Sequence, residues 1–217
     1  MKGYKITDKN GQTIYEGNVC QWGENVTNTA TGTGTKLCTD AFIHLYEDEF
    51  VAVFMNPIHG NYNSKTMRMF ECEAEPVIFD SCLKCGAKTV TTIREIEVPV
   101  LTNDQIIEIG IHCALTVNQE PCFVKWAEHW LDGSDRSAKS AWAVRKATNF
   151  LTGWEATYAA EEATYAAAAA AAAAAEAAAR AARFAAEEID ENLKLSAIIQ
   201  KVLNSERNNR KSQKELK

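Results

Sequence analysis

Residues 159–186 read AAEEATYAAAAAAAAAAEAAARAARFAA, 20 alanines in 28 positions, with an unbroken run from Ala166 to Ala175. Alanine is the strongest helix former because it loses no side-chain entropy and buries no polar group. Thr152-Gly153-Trp154-Glu155 has the spacing of a capping box, and no Gly or Pro follows Trp154. The pattern predicts one helix from Trp154 to Asn204, roughly 75 Å long at about 1.5 Å per residue. A compact domain of this size is only about 35–40 Å across. Such a helix must project or pack against copies of itself. A methyl surface permits close backbone approach but gains little per residue, ~0.8 kcal/mol per CH2-sized group. Many alanines in register are then needed, so a homo-oligomer is expected.

The rest of the chain reads as α+β. Of its 217 residues the first 100 carry the strand signals, and the domain division expected is 1–100, a three-helix segment 101–152, the alanine helix 153–204 and a basic flexible tail 205–217. Tyr4–Thr7 and Thr13–Tyr15 flank turn residues Asp8–Gly11 and predict a hairpin. Val19–Lys36 is Gly-, Asn- and Thr-rich and reads as a loop; Gly32-Thr33-Gly34 lacks the Lys-Ser/Thr ending of a phosphate cradle. Leu37–Tyr46 predicts a buried strand, Glu47–Met55 a short helix stopped by Pro57, and Met67–Glu75, Val77–Phe79 and Thr89–Val100 further strands. Thr102–Gln105 is another capping box, opening an almost wholly apolar helix. Pro121 and Gly133 frame a second helix, Ser134–Phe150 gives a third, and Trp154 is expected at the junction with the alanine helix.

The net charge of −6 argues against non-specific nucleic-acid binding by the body of the protein. Seven cysteines without a disulfide framework point to a reducing compartment, and no apolar stretch follows the first residues. Glu176, Arg180 and Arg183 interrupt the alanine run, which argues against a membrane span. A soluble cytosolic protein is the expectation.

Three groups of side chains suggest chemistry. Cys82-Leu83-Lys84-Cys85-Gly86 offers two thiols at the spacing of half a tetrahedral zinc site, and no other cofactor motif is present. His44, Tyr46 and His59 flank the short helix and can converge on a pocket, where a histidine works as acid or base near neutral pH. Trp126, Trp130, Asp135 and Arg136 gather at a helix–helix corner, as a structural corner or as a platform for a nucleotide base.

Leu37-Cys38-Thr39-Asp40, His44-Leu45-Tyr46-Glu47, Asn56-Pro57-Ile58-His59 and Trp130-Leu131-Asp132-Gly133-Ser134-Asp135-Arg136-Ser137, followed by an alanine tract, resemble an uncharacterised family of bacteriophage and mobile-element proteins. The resemblance covers Tyr4 to Arg183. It implies a viral or mobile-element protein acting against a host process in the bacterial cytoplasm, such as an anti-defence inhibitor that binds a host protein or nucleotide signal without catalysis. The order of elements before Glu75 also resembles ADP-ribosyltransferase-like domains, which implies a small nucleotide-directed enzyme as the alternative. Glu71-Cys72-Glu73 and Glu95-Ile96-Glu97 have the Glu-x-Glu spacing, and the Ser-Thr-Ser strand of that family is missing.

Overall fold

The computed structural model describes residues 1–15, 18–147, 154–169, 171–189 and 193–215. It divides into two compact units, Met1–Val100 and Leu101–Lys217. The first is an antiparallel sheet with one helix and the second is helical, so the α+β reading holds.

The first unit is built on a long hairpin, β6 (Arg68–Asp80) and β7 (Lys84–Ile96). The turn between them places Ser81 at a φ of 47°. Register irregularities flank Pro76, which has no N–H to give to a ladder. Strand β1 (Lys2–Thr7) pairs with β6, from Lys2 opposite Glu73 to Thr7 opposite Arg68. The free edge of β7 is shared by two short strands. β5 (Ile43–Leu45) lies along Cys85–Ala87, and β4 (Thr27–Thr29) along Thr89–Thr91. At Gly86 an added Cβ would lie 2.4 Å from a Leu37 methyl, so only glycine lets that segment lie on the strand. Trp22, Ile43, Leu45, Phe70, Cys72, Cys85, Ala87 and Val90 form the core.

Several local expectations change. Asp8–Gly11 is a turn, with Asp8 Oδ1 accepting from the Asn10 and Gln12 amides and Gly11 at a φ of 77°. The strands on either side do not pair with each other. β2 (Gln12–Tyr15) instead pairs with β3 (Asn18–Gln21) as a separate ribbon, while β1 pairs with β6. The predicted 37–46 strand is reduced to β5. Helix α1 (Glu49–His59) runs through Pro57. Its start is capped by Asp48, whose carboxylate accepts from the Phe50 and Val51 amides. Its end is closed by the Gly60 and Asn61 amides on the Asn56 carbonyl.

In the second unit, α2 (Asn103–Val117) carries the expected Thr102/Gln105 capping box. It packs against α5 (Trp154–Ala168), α6 (Ala171–Ile189) and α7 (Leu195–Glu215), while α3 (Pro121–Leu131) and α4 (Ala138–Ala147) follow it in sequence. The single projecting helix is therefore corrected: the alanine run breaks within itself. Arg180 Nε bonds Glu162 at 3.1 Å and Phe184 stacks on Tyr158 at 5.2 Å, both pairs centred on residue 171. An antiparallel hairpin requires that symmetry. Folding back buries Ala159, Ala160, Ala163, Ala174, Ala177, Ala178, Ala181, Ala182 and Ala185 within one chain. One straight helix would leave those methyls in water. Gly110 of α2 lies close against α6, since a Cβ there would sit 3.0 Å from that of Ala178. The need for a second copy to cover a projecting alanine helix is thus met inside the chain.

Thr152 and Gly153 of the expected capping box lie outside the described residues. Trp154 is 63 % exposed and its ring lies 5.9 Å from that of Tyr158, while the junction it is expected to clamp lies outside the described residues. The segment expected as a basic tail continues α7 to Glu215, as its Glu-, Arg-, Lys- and Gln-rich composition allows. Among the described residues no helix is long and apolar enough to cross a membrane.

Candidate functional site

The first unit holds a cleft of about 500 Å³ between β1, the β2–β3 ribbon, the 38–44 segment and the end of α1. His44, Tyr46 and His59 all line it, so the three residues expected to converge do so. Pairing with Gly86 places His44 on β5, and a two-way bridge between the Tyr4 and Tyr46 backbones fixes the next position. His59 arrives on the last turn of α1. The Asn56 side chain holds Tyr62 against that end, donating to its carbonyl and accepting from its amide.

The two histidines have different roles. His44 Nε2 lies 2.5 Å from the Leu37 carbonyl, which can only accept, so Nε2 carries the proton. Burial pushes His44 down to about 4, and the ring is neutral at pH 7. The buried Tyr46 hydroxyl is raised well above its usual range by desolvation and stays protonated. Its oxygen lies 3.2 Å from His59 Nδ1 in a hydrogen bond, with the two rings stacked at 6.0 Å.

Two buried lysines that the sequence reading passed over line the cleft, as does Asp40. Lys5 is 7 % exposed and Lys84 is 9 % exposed. Lys84 Nζ donates to Cys38 Sγ at 3.2 Å and lies 3.8 Å from Asp80. Lys5 Nζ donates to the His44 carbonyl at 2.7 Å and sits 5.3 Å from the centre of the Trp22 ring. Among the described residues no carboxylate lies within ion-pairing distance of Lys5. Burial pushes its ammonium down to about 8, opposed by the thiols of Cys72 and Cys20. Burial also pushes Cys72 up to about 11, so that thiol is neutral at pH 7 and supplies no compensating charge. A buried cation without an anion is costly, and it marks where an anion is missing. The lining also includes the apolar side chains of Ile14 and Val19, cross-strand partners in the β2–β3 ribbon and 64 % and 54 % exposed, and of Phe42 and Ile58, together with threonines, Asn28 and Asp40.

Comparison with family models, curated proteins and solved structures finds no match. The chemistry rests on this geometry alone.

The remaining expected site residues lie elsewhere. Cys85 is buried in the sheet core, its thiol on the Leu45 carbonyl and pushed up to about 12 by burial, while Cys82 is half-buried in the β6–β7 turn. Among the described residues no three His, Cys, Asp or Glu side chains gather as a metal site would need. Trp126 and Trp130 are buried in the helical unit. Arg136 stacks on Trp130 at 4.3 Å, donates to its carbonyl and pairs with Asp104 at 3.0 Å. Asp135 accepts from the Ser137 amide at the approach to α4. These contacts make a structural corner. Neither Glu71 nor Glu73, the glutamates considered for transferase chemistry, lines the cleft, nor do Glu95 and Glu97; Glu71 and Glu95 are held by Arg94 and Arg68 on the sheet.

Lys5 and Lys84 escaped notice for a physical reason. A lysine in a short strand ordinarily snorkels to solvent, and Lys84 sat inside a motif read for its thiols. The available signal was Lys5 between Tyr4 and Ile6 with no acidic residue from Met1 to Thr7.

Proposed function

We propose that the first unit is a binding module for a small organic anion with a planar or apolar part, a nucleotide being the class that combines both. The observation that carries this reading is the buried Lys5 ammonium, which among the described residues has no carboxylate within ion-pairing distance, in a cleft that Lys84 also lines together with the apolar Ile14, Val19, Phe42 and Ile58. A phosphate or carboxylate placed there supplies the missing charge and gains charge-assisted hydrogen bonds. The Ile14–Val19 ribbon and Phe42 offer the surface for a base. Pockets for such ligands are apolar clefts with a few placed polar groups. On the resemblance to phage and mobile-element proteins, the ligand is a host nucleotide signal and the protein a non-enzymatic binder that withholds it.

A second reading is favoured by one observation. The Tyr46–His59 pair opens on the same cleft and can move a proton, which a pure binder does not need. That enzyme lacks the glutamate of an ADP-ribosyltransferase, since neither Glu-x-Glu pair lines the cleft.

The test is hydrogen exchange of the full chain with nucleoside monophosphates, nucleoside diphosphates and cyclic nucleotides. Saturable protection over β1, the 38–46 segment and the start of β7 supports the reading. No protection with any of these anions overturns it.

A further inference from the structure

The cleft presents an amine whose surroundings suit more than charge pairing. Lys5 Nζ is held at one place by the His44 carbonyl at 2.7 Å and the Trp22 face at 5.3 Å. Trp22 is itself fixed by its indole N–H on Thr13 Oγ1 at 2.9 Å. The groups that act on the amine are the Cys72 and Cys20 thiols and the neutral His44 ring; Lys84 and Asp40 line the same cleft, and among the described residues no carboxylate lies within ion-pairing distance of Lys5. A lysine so desolvated reaches the neutral amine form far more readily than a surface lysine, and buried lysines serve as Schiff-base nucleophiles for that reason. A neutral amine can keep one N–H on the His44 carbonyl and still direct its lone pair at a ligand.

We infer that Lys5 forms a reversible imine with a carbonyl-bearing organic anion seated in the cleft. The inference rests on the anion-binding reading and names the ligand's reactive group. The Lys5 nitrogen lone pair attacks the carbonyl carbon, the π electrons pass to oxygen, and a proton moves from nitrogen to that oxygen. The carbinolamine then loses its hydroxyl with a second proton from nitrogen, so amine and carbonyl give imine and one water. The Tyr46–His59 pair lines the same cleft and relays the proton that leaves with the hydroxyl. No oxidant or reductant is involved, and water reverses the bond.

The probe is pyridoxal 5′-phosphate, an aromatic aldehyde with a phosphate, used below stoichiometry on the full chain at pH 7, trapped with borohydride and mapped by peptide mass. Lys5 is expected to carry the adduct at least tenfold above the other lysines and the Met1 amine. Lys5→Arg, which keeps a cation, and Lys5→Met, which avoids burying a larger cation, are each expected to lose the adduct at that position while the other lysines label as in the parent. Adducts spread over other amines with Lys5 unmodified overturn the inference, and protection by nucleotides in that same sample leaves the anion reading standing. Equal labelling of Lys5 by pyridoxal lacking the phosphate supports the imine while counting against the anion.

Discussion

Replacing Lys5 by methionine is expected to make the first unit more stable while removing its ligand. The fold holds the Lys5 ammonium down from 10.5 to about 8. At about 1.36 kcal/mol for each tenfold change in proton affinity, that means the folded state disfavours the charge by roughly 3 kcal/mol. Methionine fills the space with a flexible apolar chain of similar length. It leaves the His44 carbonyl without its donor, which costs about 1 kcal/mol. The net gain is on the order of 2 kcal/mol at pH 7. Its pH dependence has a definite sign. The unfolded chain holds the proton up to 10.5 and the folded chain only to about 8, so the penalty is complete below 8 and fades as pH rises to 10.5. At pH 10 the advantage of the variant is expected to fall by more than half. The assay is urea unfolding of the full chain, read by hydrogen exchange of β6–β7 peptides so that the first unit is followed by itself. A variant less stable than the parent at pH 7, or a gain that does not shrink at pH 10, refutes the reasoning. A site that stores instability in exchange for binding is the ordinary trade between stability and function.

Three further outcomes follow from other parts of the structure. Below pH 6.5 the first unit is expected to weaken by up to about 3 kcal/mol as pH falls toward 4, because unfolded His44 takes up a proton that the buried ring refuses; the urea midpoint of His44→Gln should be flatter over that window. Glu71 and Glu95 are held down by Arg94 and Arg68, so their contribution is lost only below 4.5. Asp48→Ala removes both amide contacts at the start of α1 and is expected to cost about 1 kcal/mol, checked by the thermal midpoint, with weaker nucleotide protection at His59. Gly110→Val forces side-chain atoms into the backbone of α6 at Ala178 and is expected to cost about 3 kcal/mol or more in the helical unit, measured by exchange of α2 and α6 amides.

The alanine tract shows how far composition reaches. Helix type was legible from propensity, but a run of identical methyls carries no mark for its own turn. The marks lie outside the run, in Tyr158 with Phe184 and Glu162 with Arg180, and they act only through tertiary contact. Caps were legible, as at Thr102 and Gln105, because both partners are within three residues. The Asp8–Gly11 turn was equally local, yet which strands it joined was decided by β6, more than 60 residues away. In the cleft, His44, Tyr46 and His59 were found because they bracket one short helix. Lys5 and Lys84 were not, because burial of a strand lysine is set by neighbours from β3, β5 and β6 rather than by its own segment.

The most direct test of the central claim is calorimetric titration of the full chain with a nucleoside diphosphate at pH 7, alongside Lys5→Met and Lys84→Met in the same buffer. The expected result is saturable binding of one ligand per chain in the parent, weakened at least tenfold in each variant. Binding unchanged by both substitutions, or no heat from any nucleotide tried, contradicts the account.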